Sequence, residues 1–143
     1  MAAFEGDNFI LDLVLKYIGS PYQWGGATPL GFDCSGLVLE VLRARGLVSN
    51  SFDATAHNIF IATKSGGVLK PEVHALAFFG GKQRVTHVGY CISPEFMVEA
   101  GGGGANTTSL EMAVKQNAFV RLRPIFSRKD LLAIHVPDKT HFT

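Results

Sequence analysis

Cysteine is scarce: the chain has only Cys34 and Cys91, too few for the disulfide framework that small secreted domains rely on. Long apolar runs are missing as well, since no stretch approaches the ~18 uncharged apolar residues that mark a membrane span. The first residues show no basic start, unbroken apolar run or small-residue cleavage site, and Asp12 interrupts the one candidate stretch, so no signal peptide is read and a chain made in the cytoplasm is expected. Charge of one sign is not in excess either. Thirteen Lys and Arg against twelve Asp and Glu leave a net charge of +1, which excludes a strong field steering the protein to nucleic acid. From Lys115 onward basic residues do outnumber acidic ones, and a solvated strand end accounts for that.

Apolar residues make up 47% of the 143 positions, enough for one compact domain with its own core. Asp7 and Asn8 can cap a helix carrying Ile10, Leu13, Val14, Tyr17 and Ile18 at helical spacing, stopped by Gly19 and Ser20-Pro21. A glycine-rich loop from Tyr22 to Phe32 follows, with the only tryptophan, Trp24. A second helix opens at Asp33 or Cys34, buries Leu37, Val38, Val41 and Leu42, and stops at Gly46. A third is expected from Asp53 to Thr63, with Ile59 and Phe60 inward. Beyond Ser65-Gly66-Gly67 the pattern changes to short runs rich in β-branched and aromatic residues: Leu76–Phe79, Val85–Ile92, Phe96–Ala100 and Phe119–Phe126. A short helix fits Ser109–Asn117. Helices first and antiparallel strands afterwards is an α+β order, unlike the alternation that builds a parallel sheet.

Asp33-Cys34-Ser35-Gly36 is the most informative stretch, because it sits where the glycine-rich loop meets an amphipathic helix. A cysteine attacks as thiolate, and its ordinary pKa of about 8.5 leaves little thiolate at neutral pH. The unpaired N–H groups and dipole of a helix N-terminus favour the anion, and can also hold a developing oxyanion. A buried structural cysteine is the competing reading, and Cys91, in an apolar strand, fits that one. Thr86-His87-Val88-Gly89-Tyr90 places a histidine in a strand, on one face with Val85, Gly89 and Cys91. A strand-mounted imidazole is what a cysteine nucleophile needs as base, with a third group to orient it. The following strand offers Glu99.

Tyr22-Gln23-Trp24-Gly25-Gly26, then Gly31-Phe32-Asp33-Cys34-Ser35-Gly36-Leu37-Val38, resembles the signature of the NlpC family of cell-wall peptidases. The resemblance continues through Phe78-Phe79, the His87 block and the Met97-to-Ala100 strand, and covers about Leu15 to Gly101. It implies a compact papain-like fold, with N-terminal helices carrying the cysteine and an antiparallel sheet carrying the histidine. It also implies cleavage of peptidoglycan stem peptides, commonly between D-glutamate and the diamino acid, without a cofactor. Under it Cys34 would be nucleophile, His87 general base and Glu99 the third member. Tyr22 would line the site through its hydroxyl, and Asp33 and Ser35 would help hold the free amine of the stem peptide.

Two positions depart from the family pattern. Glu99 stands where relatives usually have His, sometimes Asn or Gln; a carboxylate can still accept the imidazole's distal N–H and favours imidazolium more than an amide would. Val73-His74-Ala75-Leu76 replaces the usual Pro-Gly-Asp-Leu, so a differently built turn is expected there. Gly101–Gly104 lacks the Lys-Ser/Thr of a phosphate loop and reads as a mobile turn beside the site. His57, His74, His135 and His141 show no paired ligand spacing, so no metal is expected. An amidase or acyltransferase on the same scaffold, or a non-catalytic module of an assembly, are the other readings. With the substrate outside the cytoplasm and no export signal read, a phage lysin or a tail-associated enzyme carried in the virion would reconcile the two.

Overall fold

The computed structural model describes residues 5–28 and 30–143. Its elements are α1 (Glu5–Lys16), β1 (Ala27–Thr28), β2 (Gly31–Phe32), α2 (Cys34–Ala44), α3 (Ala56–Ala62), β3 (Gly67–Val68), β4 (Leu76–Gly81), β5 (Arg84–Cys91), β6 (Phe96–Gly101), α4 (Leu110–Gln116), β7 (Phe119–Pro124) and β8 (Leu131–His135). All but β1 and β2 among the strands form one sheet, in the order β3-β8-β4-β5-β6-β7, and every pairing in it is antiparallel. The α+β order expected from the sequence is the one observed. No helix among the described residues is long and apolar enough to cross a membrane.

The sheet separates two apolar layers. On one side Leu37, Val38, Val41 and Leu42 of α2, with Val14 of α1 and Ile59 of α3, pack on Leu76, Phe78, Val88, Tyr90 and Val98. Burying each of these side chains stabilises the fold by about 1.5–3 kcal/mol before chain entropy is counted. On the other side Ala75, Ala77, Phe79, Cys91, Met97 and Ile134 form a smaller cluster, covered by Ile125. The paired phenylalanines thus point to opposite faces, as the period of a strand requires.

Helix α2 is fixed at both ends. Asp33 is its N-cap: the extended backbone at this residue lets the carboxylate accept from Gly36 N–H at 2.7 Å, which satisfies one of the unpaired donors of the first turn. At the other end Gly46 takes φ +74, and Leu47 N–H reaches back to Leu42 O at 2.9 Å while Gly46 N–H reaches Arg43 O. This is the Schellman closure that the sequence stop at Gly46 implies.

Several boundaries differ from the sequence reading. Asp7 and Asn8 lie inside α1 instead of capping it, and Ile18 falls beyond its end. Helix α3 begins at Ala56 because Thr55, not Asp53, supplies the cap, its Oγ1 accepting from Asn58 N–H at 3.1 Å. Strand β7 ends at Pro124, where a 3₁₀ turn over Ile125–Ser127 begins. Strand β8 lies between β3 and β4 in the sheet and was not anticipated.

Two local features shape the rim of the sheet. The β4–β5 register slips between Phe79, opposite His87, and Gly80, opposite Val85, which leaves Thr86 unpaired in a bulge. Gly80 takes φ +149 there, and a Cβ on it would press on the backbone of Val85 and Thr86. The bulge corrects one expectation: Val85 joins the helix-side cluster with Val88 and Tyr90, so it does not share a face with His87. The second feature is His74, which itself adopts the left-handed backbone that suits glycine, φ +71. Its Nδ1 lies 2.7 Å from the Tyr90 hydroxyl in the buried interior.

Candidate active site

Cys34 is the first residue of α2, half-buried, with its thiol directed at the Thr86 carbonyl of the bulge 4.0 Å away. The loop before it is pressed onto the same helix end. Asp33 Oδ2 accepts from Gly25 N–H at 3.0 Å, and Asp33 N–H donates to Gly26 O at 3.0 Å. A Cβ at Gly36 would collide with that Gly26 carbonyl, so the first turn of α2 must be bare for the loop to lie across it.

His87 approaches from β5, almost wholly buried, and lies close enough to Cys34 for the two to couple electrostatically. Its Nε2 lies 2.9 Å from Oε1 of Glu99, which is completely buried on β6. The neighbouring Phe79 ring, 5.7 Å away between centroids, limits the plane in which the imidazole can turn. Burial alone would depress the His87 pKa, but coupling to Cys34, with the hydrogen bond and charge of Glu99, outweighs it and raises the value to about 9. Burial likewise pushes Glu99 up, and the His87 bond, the His87 charge and the Arg123 and Arg128 guanidiniums overcome that and hold it below the ordinary carboxylate value.

Cys91, by contrast, is fully buried in the far-side cluster, and burial pushes its thiol up to about 12. Its setting is that of a structural cysteine.

The groove at Cys34 is a cleft of about 450 Å³ lined by Tyr22, Trp24, Ser35, His57, Arg84 and Thr86 among others. Tyr22 is buried against this wall, and burial first, then the nearby Cys34 and Asp33, raise its phenol pKa well above the ordinary value. Gly103, in the turn after β6, abuts the Tyr22 ring. An adjoining hollow of about 340 Å³ brings Asp33, Ser35, Asp53, Thr55 and Asn58 together. Burial raises the Asp33 pKa, and the charge of Asp53 adds to this against hydrogen bonds from Gly36, Gly25 and Ser35.

The structure therefore gathers Cys34, His87, Glu99, Tyr22, Asp33 and Ser35 into one region. Residues 19–124 match the profile of the NlpC/P60 family. This chain belongs to the NlpC/P60 family. It is 34% identical over 106 residues to the bifunctional muramidase/DL-endopeptidase CwlT of Bacillus subtilis, covering 71% of this chain and 31% of that protein. It is 30% identical over 128 residues to the murein DD-endopeptidase MepH of Escherichia coli, covering 85% of this chain and 46% of that protein. Among solved structures, an NLP/P60-family lipoprotein-like protein of Staphylococcus aureus superposes with a TM-score of 0.69 at 26% identity, over 96% of this chain and 43% of the other. The NlpC/P60 domain of the peptidoglycan hydrolase SagA gives 0.62 at 22% identity, over 90% and 97%. The chain spans less than half the length of the curated relatives it matches. The NlpC/P60 fold expected from the cysteine and histidine blocks is thereby shown.

Four features of this NlpC/P60 site were not read from the sequence. His57, Arg84 and Thr86 line the cleft, and Arg123 Nη1 stands 3.5 Å from Glu99 Oε2. The basic stretch near the C-terminus is consequently not only a solvated strand end, because Arg123 faces a buried carboxylate and Arg128 lies over the Phe79 ring. A signal did exist. Arg121 and Arg123 alternate on a strand that pairs with the strand carrying Glu99, and a carboxylate predicted inside a sheet calls for a cation nearby. Among the described residues no three His, Cys, Asp or Glu side chains converge as a metal site.

Proposed function

We propose that this domain is a cell-wall cysteine peptidase that cuts peptidoglycan stem peptides, with Cys34 as nucleophile, His87 as base and Glu99 as the group that orients His87. One observation carries the reading. A half-exposed cysteine at a helix N-terminus meets a histidine whose other nitrogen is bonded at 2.9 Å to a buried carboxylate, at the edge of an open cleft. That is the arrangement of an activated thiol nucleophile with an oriented base.

The chemistry follows from the groups present. Cys34 passes its proton to His87, and the sulfur attacks the substrate carbonyl to form a C–S bond. The Cys34 and Ser35 N–H groups, in the first turn where no carbonyl lies one turn back, face the resulting oxyanion. Imidazolium returns its proton to the departing amine as the C–N bond breaks, leaving a thioester. Water, deprotonated by His87, then displaces the sulfur and releases the acid product. Tyr22 shapes the wall, and the acidic hollow around Asp33, Ser35 and Asp53 receives the free amine of the stem peptide, whose positive charge those two carboxylates favour.

The bond proposed is that between D-glutamate and the diamino acid. Purified wall peptides incubated with the protein and resolved by mass spectrometry test it, the expected product carrying a new N-terminal diamino acid. Cleavage elsewhere would revise the bond. Acyl transfer to an added amine in place of hydrolysis would favour an acyltransferase. No reaction with any stem peptide would sink the proposal.

A further inference from the structure

Glu99 is wholly buried, yet only one of its oxygens is hydrogen-bonded. Oε1 meets His87, whereas Oε2 has no hydrogen-bond partner among the described residues and lies 3.5 Å from Arg123 Nη1. A carboxylate taken out of water without compensation binds a proton instead. As a neutral acid Glu99 would no longer favour imidazolium at His87, and its hydroxyl could turn as donor. Something must hold the charge in place.

The candidate is itself aimed. Arg123 sits on β7, one diagonal step from Glu99, since Glu99 pairs with Arg121 and Met97 with Arg123. Its Nε donates to Ser127 Oγ at 2.9 Å, and Ser127 Oγ donates to the Pro124 carbonyl at 2.7 Å. The turn after β7 thus folds back and fixes the guanidinium under the sheet. Gly101 keeps the space beside Oε2 open, because a Cβ there would collide with that oxygen. Arg121 is committed elsewhere, with Nη2 donating to the Gly101 and Asn117 carbonyls. Arg128 forms a two-pronged pair with Asp130 at 2.9 and 2.8 Å, which leaves Arg123 as the cation in direct reach of Oε2.

We propose that Arg123 is a positioning residue for the reaction: it holds Glu99 ionised and turned so that Oε1 addresses His87. The assignment rests on the reading of Glu99 as orienter of His87. It also accounts for a carboxylate at this position, because Arg123 provides the countercharge that a neutral histidine or amide there would not need.

The test is the pH dependence of turnover on a stem peptide for Arg123→Ala, Arg123→Gln and Arg123→Lys. The charges facing the pair are Cys34 from α2, Arg123 from β7, and Arg128 and Asp130 from the turn before β8. Loss of the Arg123 charge lets Glu99 take up a proton at higher pH, so the acid limb of kcat should move toward neutrality. The optimum rate should fall by about ten-fold, a fraction of what positioned acid–base catalysis contributes, with KM little changed. Arg123→Lys should return the limb toward its original place, which a merely structural role would not do. Arg123→Gln keeps most of the bulk and serves if the alanine variant fails to fold. In a Glu99→Gln background the Arg123→Gln change should add nothing further. An impaired Glu99→Gln beside Arg123→Gln with normal kcat and an unmoved acid limb would overturn the role of Arg123 alone. A fully active Glu99→Gln would instead remove the reading on which it rests.

Discussion

The two walls of the cleft are held by different forces. On the Cys34 wall each tie between loop, cap and helix has a backbone group at one end: the Asp33 carboxylate accepts from the Gly25 and Gly36 N–H groups, Asp33 N–H meets the Gly26 carbonyl, and bare glycine sits where the loop crosses the helix. On the His87 wall the decisive contacts are between side chains, with a buried ion pair backed by a guanidinium. Backbone packing fixes position whatever the pH, whereas a charge network fixes it only while its members keep their charges. The first wall should fail mainly by steric change, with the Asp33 carboxylate its one titrating tie, and the second by titration.

The largest effect tests the division of labour between the two cysteines. Cys34→Ala is expected to abolish hydrolysis with the melting temperature nearly unchanged. Alkylation at mildly acidic pH should label Cys34 first, and equal labelling of Cys91 would reverse the assignment. Next comes Gly36→Ala, whose methyl group would drive the loop off the helix. A loss of about 3 kcal/mol in stability is expected, the upper range for overpacking, together with most of the activity. Calorimetry showing an unperturbed protein would mean that the loop yields freely.

Glu99 sharpens the other wall. Imidazolium at His87 is raised from 6.5 to about 9, so its contribution to stability is complete below 6.5 and disappears as pH rises through about 9. Glu99 is shifted downward from 4.5, so its contribution is present above that value and is lost as pH falls through the lowered one. Glu99→Gln removes the charge and should move the alkaline limb of turnover toward neutral pH, with about ten-fold lower kcat. Glu99→Ala should be worse, since nothing then fixes the ring. Both limbs unmoved in Glu99→Gln would break the comparison. Chelator treatment is expected to leave turnover unchanged, and a loss of activity restored by zinc would replace the thiol mechanism. The smallest effect belongs to Cys91→Ala: normal turnover, with about 1 kcal/mol of stability lost from the far-side cluster.

The same division explains what was legible. Asp33, Cys34 and Gly36 occupy consecutive roles within one turn, so capping, nucleophile and close approach can be read directly from adjacent residues. His87 and Glu99 were readable as strand residues, but their meeting depends on a sheet register that no local pattern encodes. The Thr86 bulge reversed the facing of Val85 because one extra residue resets the alternation for everything before it. Strand β8 escaped notice for a related reason. Leu131-Leu132-Ala133-Ile134-His135 carries no clear turn signal at its start, and its partner β4 lies more than fifty positions away. Arg123 looked like surface because composition reports charge and not direction.

Strand β8 has a further consequence, for assembly of the chain in time. It occupies an interior place in the sheet, hydrogen-bonded to β3 on one side and β4 on the other, yet it is made after the stretch that matches the family ends at residue 124. Until His135 has emerged from the ribosome, β4 offers an open edge through Leu76-Ala77-Phe78-Phe79, apolar and ready to pair with another copy. A chain stopped at Pro124 should accumulate in the insoluble fraction, and a soluble monomer of that length would show that the remaining strands close over the gap unaided. Strand β8 thus acts as the latch that turns a sticky intermediate into a finished sheet.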